Sequence, residues 1–363
     1  MKYTLHYSNN PPFVSTDHKE KGLGGTENFA CYVATGLAKL GHEVTFYNQS
    51  LIPPTKIDGV TWANLRYFDP TEPCDALISF RMREVFKGPL ATSRRILILA
   101  DTESAGLGDD VRGGRITKVM SVSKWQQNKI AQEEGLIDHP AWMDGSNGID
   151  ADEFVDLPPK NRAMCIHLST PERGLGFLLD IWPDIERHTN LVNRIQPELH
   201  LFSSFMGWGV TLEDNAKMCE GIYARIEELQ SQGYHIVNHI HGDRDTLRAF
   251  QKEAALLLYP TNFNETYCIS LTECMAAGCV PIVSNRGALP NRVTDGVNGY
   301  LVGDFESDAS TLEHKTDFVE TAVTALWVSD AVYNRLSAQA RERALQDSYQ
   351  RLVPLWAQIW GQD

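Results

Sequence analysis

The sequence predicts an α/β protein of two doubly wound domains, each a parallel sheet flanked by helices. Three observations predict it. Strand-like and helix-like segments alternate through the first half of the chain and again through the second, the pattern that crossover connections between parallel strands impose. The 363 residues are long for one core and suit two. The alternation breaks at ADEFVDLPPKNR, Ala151 to Arg162, where acidic residues and a Pro-Pro pair interrupt the periodicity.

In the first half, YTLHYS (Tyr3–Ser8) alternates as a strand, and a polar, Pro- and Gly-rich loop follows to Gly25. From Thr26 to Leu40, the residues Phe29, Val33, Leu37 and Leu40 recur at helical spacing. Gly41 ends that helix. HEVTFYN, Asp75–Phe80, Arg95–Ala100 and Lys118–Ser123 read as further strands. In the second half, Ala163–Ser169 reads as a strand, Leu175–Ile185 as a helix and Glu198–Ser204 as a strand. One long helix is expected from Asn215 to Gln232, with HIVNHIH as the next strand. RDTLRAFQKEA is a helix with Asp243 or Asp245 at its start, where the helix dipole favours an acid. ALLLYPT is a buried strand, Cys268–Ala277 a helix ended by Gly278, VPIVSN a strand, and Tyr349–Trp360 the last helix. Domains of this kind place a ligand at the carboxyl ends of their strands.

Charge and composition exclude several function classes. The formal net charge is −14, and most of the acidic excess lies after residue 150. Such a surface repels phosphate backbones, so nucleic acid is not an expected partner, and an anionic membrane is disfavoured. Of the seven cysteines none sits in a C-x2-C pair. Cys31, Cys165, Cys268, Cys274 and Cys279 lie in apolar contexts, as reduced core thiols do. The spacing of the last three matches no structural zinc site. The N-terminus has no signal-peptide core and no run of eighteen apolar residues occurs, so a soluble cytoplasmic protein is expected.

The segment YPTNFNETYCISLTECMAAG follows a buried strand and runs into a helix. Backbone N–H groups around Thr266, Tyr267, Cys268 and Ile269 would then face outward at a helix N-terminus, which suits an anionic diphosphate. Glu265 lies before that helix, with Asn264 beside it, and Glu273 lies inside it. One carboxylate can accept hydrogen bonds from sugar hydroxyls, the other can grip a ribose. Taken alone, the pair favours the plainer reading, two surface glutamates on an ordinary amphipathic helix.

The context is more specific. This stretch, with PIVSNRGALPNRVTDGVNGYLV (Pro281–Val302), closely resembles the donor half of the GT-B glycosyltransferases, in particular glycosyltransferase family 4. The resemblance implies two Rossmann-like domains facing across a cleft. Residues 1–155 would bind the acceptor, residues 160–347 the nucleotide-sugar donor, and the helix at 348–363 would pack back on the first domain. It implies that Glu265 and Glu273 match the family's Glu-x7-Glu pair, for donor sugar and ribose respectively. In HLSTPERGLGFLLDIWPDI (His167–Ile185), the family's phosphate-binding Lys position holds Arg173, and its Arg position holds Leu168 beside Ser169 and Thr170. This resembles a branch with an S-x-P-x-R-G-L motif, in which hydroxyls stand in for the missing guanidinium. Gly242 and Arg244 fall where relatives place the nucleotide base.

In the first half, GLGGTENFA (Gly22–Ala30) resembles the family's Gly-Gly-x-Glu loop, with Gly24, Gly25 and Glu27 reaching towards donor phosphates or acceptor. A plain helix-start turn is the alternative. The spacing is not G-x-G-x-x-G and strand two ends in FYNQS without an acid, so a nicotinamide dinucleotide site is disfavoured. Where the family commonly carries His-Asp after a buried strand, ILILADTES has Ala100 and Asp101. Asp101 is thereby an acceptor-side and catalytic candidate with Glu265 and Arg173. The resemblance implies a retaining, metal-independent glycosyltransferase acting on a UDP- or GDP-sugar and a hydroxyl acceptor such as a glycan. It needs no cofactor beyond its substrates. A phosphorylase or epimerase on the same fold, or a non-catalytic nucleotide-sugar-binding relic, are the alternatives. His239 and His241 alternate along their expected strand, as core histidines or a metal pair.

Overall fold

The structure is a computed structural model that describes residues 1–8, 12–17, 23–50, 53–193, 195–205, 210–240 and 243–361. The chain divides into two compact units, Met1–Gly148 with Asp347–Asp363, and Ile149–Gln346.

The first unit is built on strands β1 (Lys2–His6), β2 (Glu43–Asn48), β3 (Thr55–Ile57), β4 (Val60–Asn64), β5 (Ala76–Phe80), β6 (Arg95–Ile98), β7 (Lys118–Met120) and β8 (Trp142–Met143), in the order β3-β4-β2-β1-β5-β6-β7-β8. The pairings are parallel except for the β3–β4 hairpin. That hairpin turns on Asp58 and Gly59, both at positive φ, as a tight two-residue turn requires. From β1 the chain builds outward to one side, then returns to lay β5 on the other. The order therefore reverses between β1 and β5, and ligands favour the crevice beyond such a reversal. Helix α1 (Gly25–Lys39) buries Phe29, Val33 and Leu37, the face its periodicity predicts. Two further helices, α2 (Leu107–Arg112) and α3 (Lys124–Glu133), flank the other half; Ser123 caps α3 by accepting from Gln126 N–H.

The second unit has strands β9 (Asn161–Leu168), β10 (Glu198–Phe202), β11 (Ile236–Asn238), β12 (Ala254–Tyr259), β13 (Val280–Ser284) and β14 (Tyr300–Val302), ordered β11-β10-β9-β12-β13-β14 and all parallel. Its strands read as continuous apolar runs because both faces are covered. Along β12, Leu256 and Leu258 enter one core layer, and Leu257 and Tyr259 the other. The helices are α4 (Leu175–Asn193), α5 (Leu212–Met218), α6 (Glu220–Ser231), α7 (Arg244–Glu253), α8 (Ile269–Ala276), α9 (Leu312–Trp327) and α10 (Asp330–Leu345). Here the reversal lies between β9 and β12.

The last helix, α11 (Tyr349–Trp360), belongs to the first unit and packs on α1. Tyr349 stacks on Tyr32 with ring centroids 4.4 Å apart, and Trp356 meets Phe29 edge-on at 5.6 Å. Gly36 makes the close approach possible, since a Cβ there would lie 2.9 Å from Val353.

Three sequence expectations need correction. The helix expected from Asn215 to Gln232 is two, α5 and α6, which meet at Cys219. Helix α4 runs through Pro183 and does not stop at Ile185 but continues to Asn193. The β11 strand ends at Asn238, and Ile240 takes positive φ, so His239 lies past the strand; His241 falls outside the described residues.

Candidate active site

Two loops flank the reversal in the second sheet, one after β9 and one after β12. They bring Arg173 and Glu265 together: Arg173 Nη1 donates to Glu265 Oε1 at 3.2 Å. Arg173 closes a short 3-10 turn, Pro171–Arg173, that Thr170 and Pro171 start. Its guanidinium also lies 4.0 Å from the Phe263 ring centroid, so an aromatic face and a carboxylate both fix it. Glu265 is buried, and its Oε1 accepts a second hydrogen bond, from the Tyr259 hydroxyl at 2.6 Å. Ser169 bonds that phenol oxygen in turn. Ser169, Tyr259, Glu265 and Arg173 thus form one continuous polar chain, while Thr170 donates to Glu172 at 2.6 Å.

Two glycines let the loops approach. A Cβ on Gly174, at φ 112°, would fall 1.8 Å from the Pro260 carbonyl oxygen, so only glycine seats the β9 loop against the β12 loop. A Cβ on Gly287, after β13, would fall 2.8 Å from the backbone of Glu265, and Ala288 N–H bonds the Glu265 carbonyl at 2.8 Å.

The charges in this chain are held in fixed states. Burial works to neutralise Arg173, but the Glu265 carboxylate, together with Tyr259, Cys268 and Glu172, raises the guanidinium above its ordinary value. Burial, reinforced by the Glu265 charge, pushes the Tyr259 phenol well up, so it stays a donor. The Cys268 thiol rises to about 12 for the same two reasons, and it is inert at neutral pH. Cys268 precedes α8 in left-handed geometry and gives that helix no side-chain cap.

Glu273 lies in α8, but its carboxylate is bound to protein rather than open. Arg248 Nη2 donates to Oε1, and Gln251 donates to Oε2 at 3.4 Å. Burial opposes ionisation of Glu273, yet the charge and hydrogen bond of Arg248, with Arg244 and Gln251 beside it, together lower its pKa. Arg248 also clasps Glu153 at 2.7 Å, and Arg244, the expected base contact, binds the other Glu153 oxygen at 2.6 Å. Gly242 lies outside the described residues. Asn264, Thr266, Tyr267 and Ile269 follow Glu265 into α8, with Arg292 stacked 4.0 Å over the Tyr267 ring.

In the first unit, the carboxyl ends of β1, β5 and β6 gather a second cluster. Tyr7 donates its hydroxyl to Glu27 Oε1 at 2.7 Å, and Glu27 turns back beside Gly24, just ahead of Gly25 at the start of α1. Asp101 is ion-paired with Arg81. Nothing in the sequence marks Arg81, Tyr7, Tyr259 or Arg248 as site residues, although each sits at a strand end or on a helix beside a residue that the motifs do mark.

His167 and His239 are packed as structural side chains. His167 is buried, donates Nδ1–H to the Leu258 carbonyl at 2.9 Å, and is held neutral by burial, with a pKa lowered to about 4. His239 packs flat on Phe202 and hydrogen-bonds His200 at 3.0 Å. Among the described residues no three His, Cys, Asp or Glu gather as metal ligands, the cysteines are unpaired thiols, and no helix is long and apolar enough to cross a membrane.

Comparison with known proteins places these loops in context. Residues 163–315, which contain them, match the family model described as glycosyl transferases group 1. Among solved structures, a glycosyltransferase from Rickettsia africae superposes with a TM-score of 0.71 at 14% identity, covering 99% of this chain and 98% of that one. Sucrose-phosphate synthase from Thermosynechococcus elongatus gives 0.68 at 13%, with 99% and 98% covered. The Anabaena protein HepE, solved with UDP and glucose, gives 0.65 at 13%, with 99% of both chains covered. No curated protein sequence matches the chain.

Proposed function

We propose that the chain is a group 1 glycosyltransferase, the family whose model residues 163–315 match, and that it moves a sugar, with retention of anomeric configuration and without a metal, from a UDP- or GDP-sugar to a hydroxyl of a glycan or other sugar-containing acceptor. The second unit takes the donor and the first takes the acceptor. One observation carries the donor assignment: Arg173 and Glu265 meet at the sheet reversal, beside the uncapped start of α8. A cation and helix N–H groups there suit a diphosphate, and a carboxylate beside them suits sugar hydroxyls.

In this reading Arg173 and the first turn of α8 stabilise the charge that develops on the leaving diphosphate. They do the electrostatic work a divalent cation does elsewhere. Glu265, held by Tyr259 and Arg173, orients the donor sugar through Oε2 and its remaining lone pairs. The leaving phosphate oxygen takes the acceptor proton as the new glycosidic bond forms on the same face. Glu273, with a protein donor on each oxygen, keeps only its remaining lone pairs for the ribose hydroxyls. Because the phosphate serves as base, the scheme needs no histidine at Ala100.

The test is transfer itself. Wild-type chain with UDP- or GDP-sugar should release nucleotide faster when an acceptor is added, and NMR of the product should show the donor's anomeric configuration. An inverted product would rule out same-face transfer. Phosphate-dependent release without an acceptor would point to a phosphorylase.

A further inference from the structure

Arg81 follows directly on β5, at one of the two strand ends that flank the reversal in the first sheet. Its backbone is left-handed, with φ of 66°. L-residues avoid this region because Cβ crowds the carbonyl oxygen, and glycine adopts it without strain. The turn is nonetheless well made: Arg81 N–H reaches the Ile98 carbonyl at 2.8 Å, Met82 N–H reaches Phe80 at 2.8 Å, and Ser79 donates to the Met82 carbonyl. A long side chain where glycine would be less strained indicates that the side chain itself is needed.

That side chain ends on Asp101 and also meets Tyr7. Asp101 is immobilised in its turn. One carboxylate oxygen takes Arg81, the other accepts Glu103 N–H at 3.2 Å, and its backbone carbonyl accepts from the buried Gln126 at 2.6 Å. Arg81 and Asp101 keep side-chain exposures of 31% and 37%, whereas Tyr7 and Glu27 beneath them are buried. The ion pair is the accessible part of a rigid cluster.

We infer that Arg81 and Asp101 together recognise the acceptor, and that the acceptor is an uncharged sugar presenting two neighbouring hydroxyls; this rests on the transferase reading above. One hydroxyl accepts from a guanidinium N–H, and its neighbour donates to a spare lone pair of the Asp101 carboxylate. The two charges cancel and Glu27 adds a negative one, so the cluster offers no net attraction to a phosphorylated or carboxylated sugar. A fixed pair meets the two hydroxyls without being reorganised first.

The test uses the full chain and its variants Arg81→Gly and Asp101→Asn, with three readouts. These are thermal midpoint, UDP affinity by calorimetry, and binding to an array of neutral, phosphorylated and uronic-acid saccharides. Arg81→Gly should keep or raise the thermal midpoint, bind UDP as wild type does, and lose neutral-saccharide binding by about tenfold or more, a loss of about 1.4 kcal/mol. Asp101→Asn should lose that binding too. A purely structural role for Arg81 would lower the midpoint instead. Retention of only anionic saccharides by wild type, retention of none, or wild-type binding by both variants would overturn the inference. Failure of wild type to bind UDP would strike the donor assignment instead, so the two claims fail separately.

Discussion

Tyr259 and Glu265 are joined by a 2.6 Å hydrogen bond from a buried phenol to a buried carboxylate. The bond crosses from the end of β12 to the loop that β12 feeds, and it fixes which Glu265 oxygen faces Arg173. Tyr259→Phe keeps the ring in its core layer and removes only the hydroxyl. Loss of a hydrogen bond to a charged group is worth about 1.5–3 kcal/mol, so turnover should fall by about tenfold to a hundredfold. Steady-state kinetics against the donor, with circular dichroism to confirm the fold, checks this; unchanged turnover would remove Tyr259 from the account.

Gly287 and Gly296 make a matched pair. Both have positive φ, but a Cβ on Gly287 meets the Glu265 backbone at 2.8 Å, while one on Gly296 meets nothing within 4 Å. Alanine at either site costs about 1–2 kcal/mol of backbone strain. Only Gly287→Ala should also displace Glu265, weakening nucleotide-sugar binding by about tenfold. Equal effects on binding from both variants would contradict this.

The α/β, parallel-sheet fold class was legible because parallel strands buried on both faces leave long apolar runs, such as ALLLYP around Leu256. The Asp58-Gly59 turn was an equally plain signal for the β3–β4 hairpin, but its strands are too short to stand out in an alternating α/β pattern. The break between α5 and α6 could not be read, because Cys219 is neither Gly nor Pro and its neighbours keep helical character. At the site, Glu265 and Arg173 carry motif signatures. Tyr259, Arg248 and Arg81 do not, since a Tyr ending a strand or an Arg on a helix is commonplace until its neighbours in space are known. The Arg248 clasp on Glu273 joins residues 25 apart in sequence, beyond the reach of any local pattern.

Arg248 binds Glu153 and Glu273 at once. Arg248→Met would leave two carboxylates short of a partner, and breaking a buried pair in this way costs about 3–5 kcal/mol. Urea denaturation should show that loss. A change under about 1 kcal/mol would mean the pair is already solvated, as surface pairs are.

His167 gives stability a defined pH dependence. Its folded pKa is lowered by burial to about 4 from an ordinary 6.5, so the unfolded chain takes up the proton first as pH falls. The neutral imidazole's contribution is complete above 6.5 and declines from there towards 4, with a slope of at most about 1.4 kcal/mol per pH unit. Replacing His167 by Gln should flatten thermal stability in that window. An unchanged slope would place the acid sensitivity elsewhere.

The central claim is that the second unit is a nucleotide-sugar donor site assembled from the Arg173 and Glu265 loops. Isothermal titration of UDP-, GDP- and ADP-sugars into wild type, Arg173→Ala and Glu265→Ala tests it most directly. One of the three sugar nucleotides should bind wild type in a 1:1 ratio, and each variant should lose at least about tenfold in affinity. Binding equally strong in both variants, or no binding of any sugar nucleotide by wild type, would contradict it.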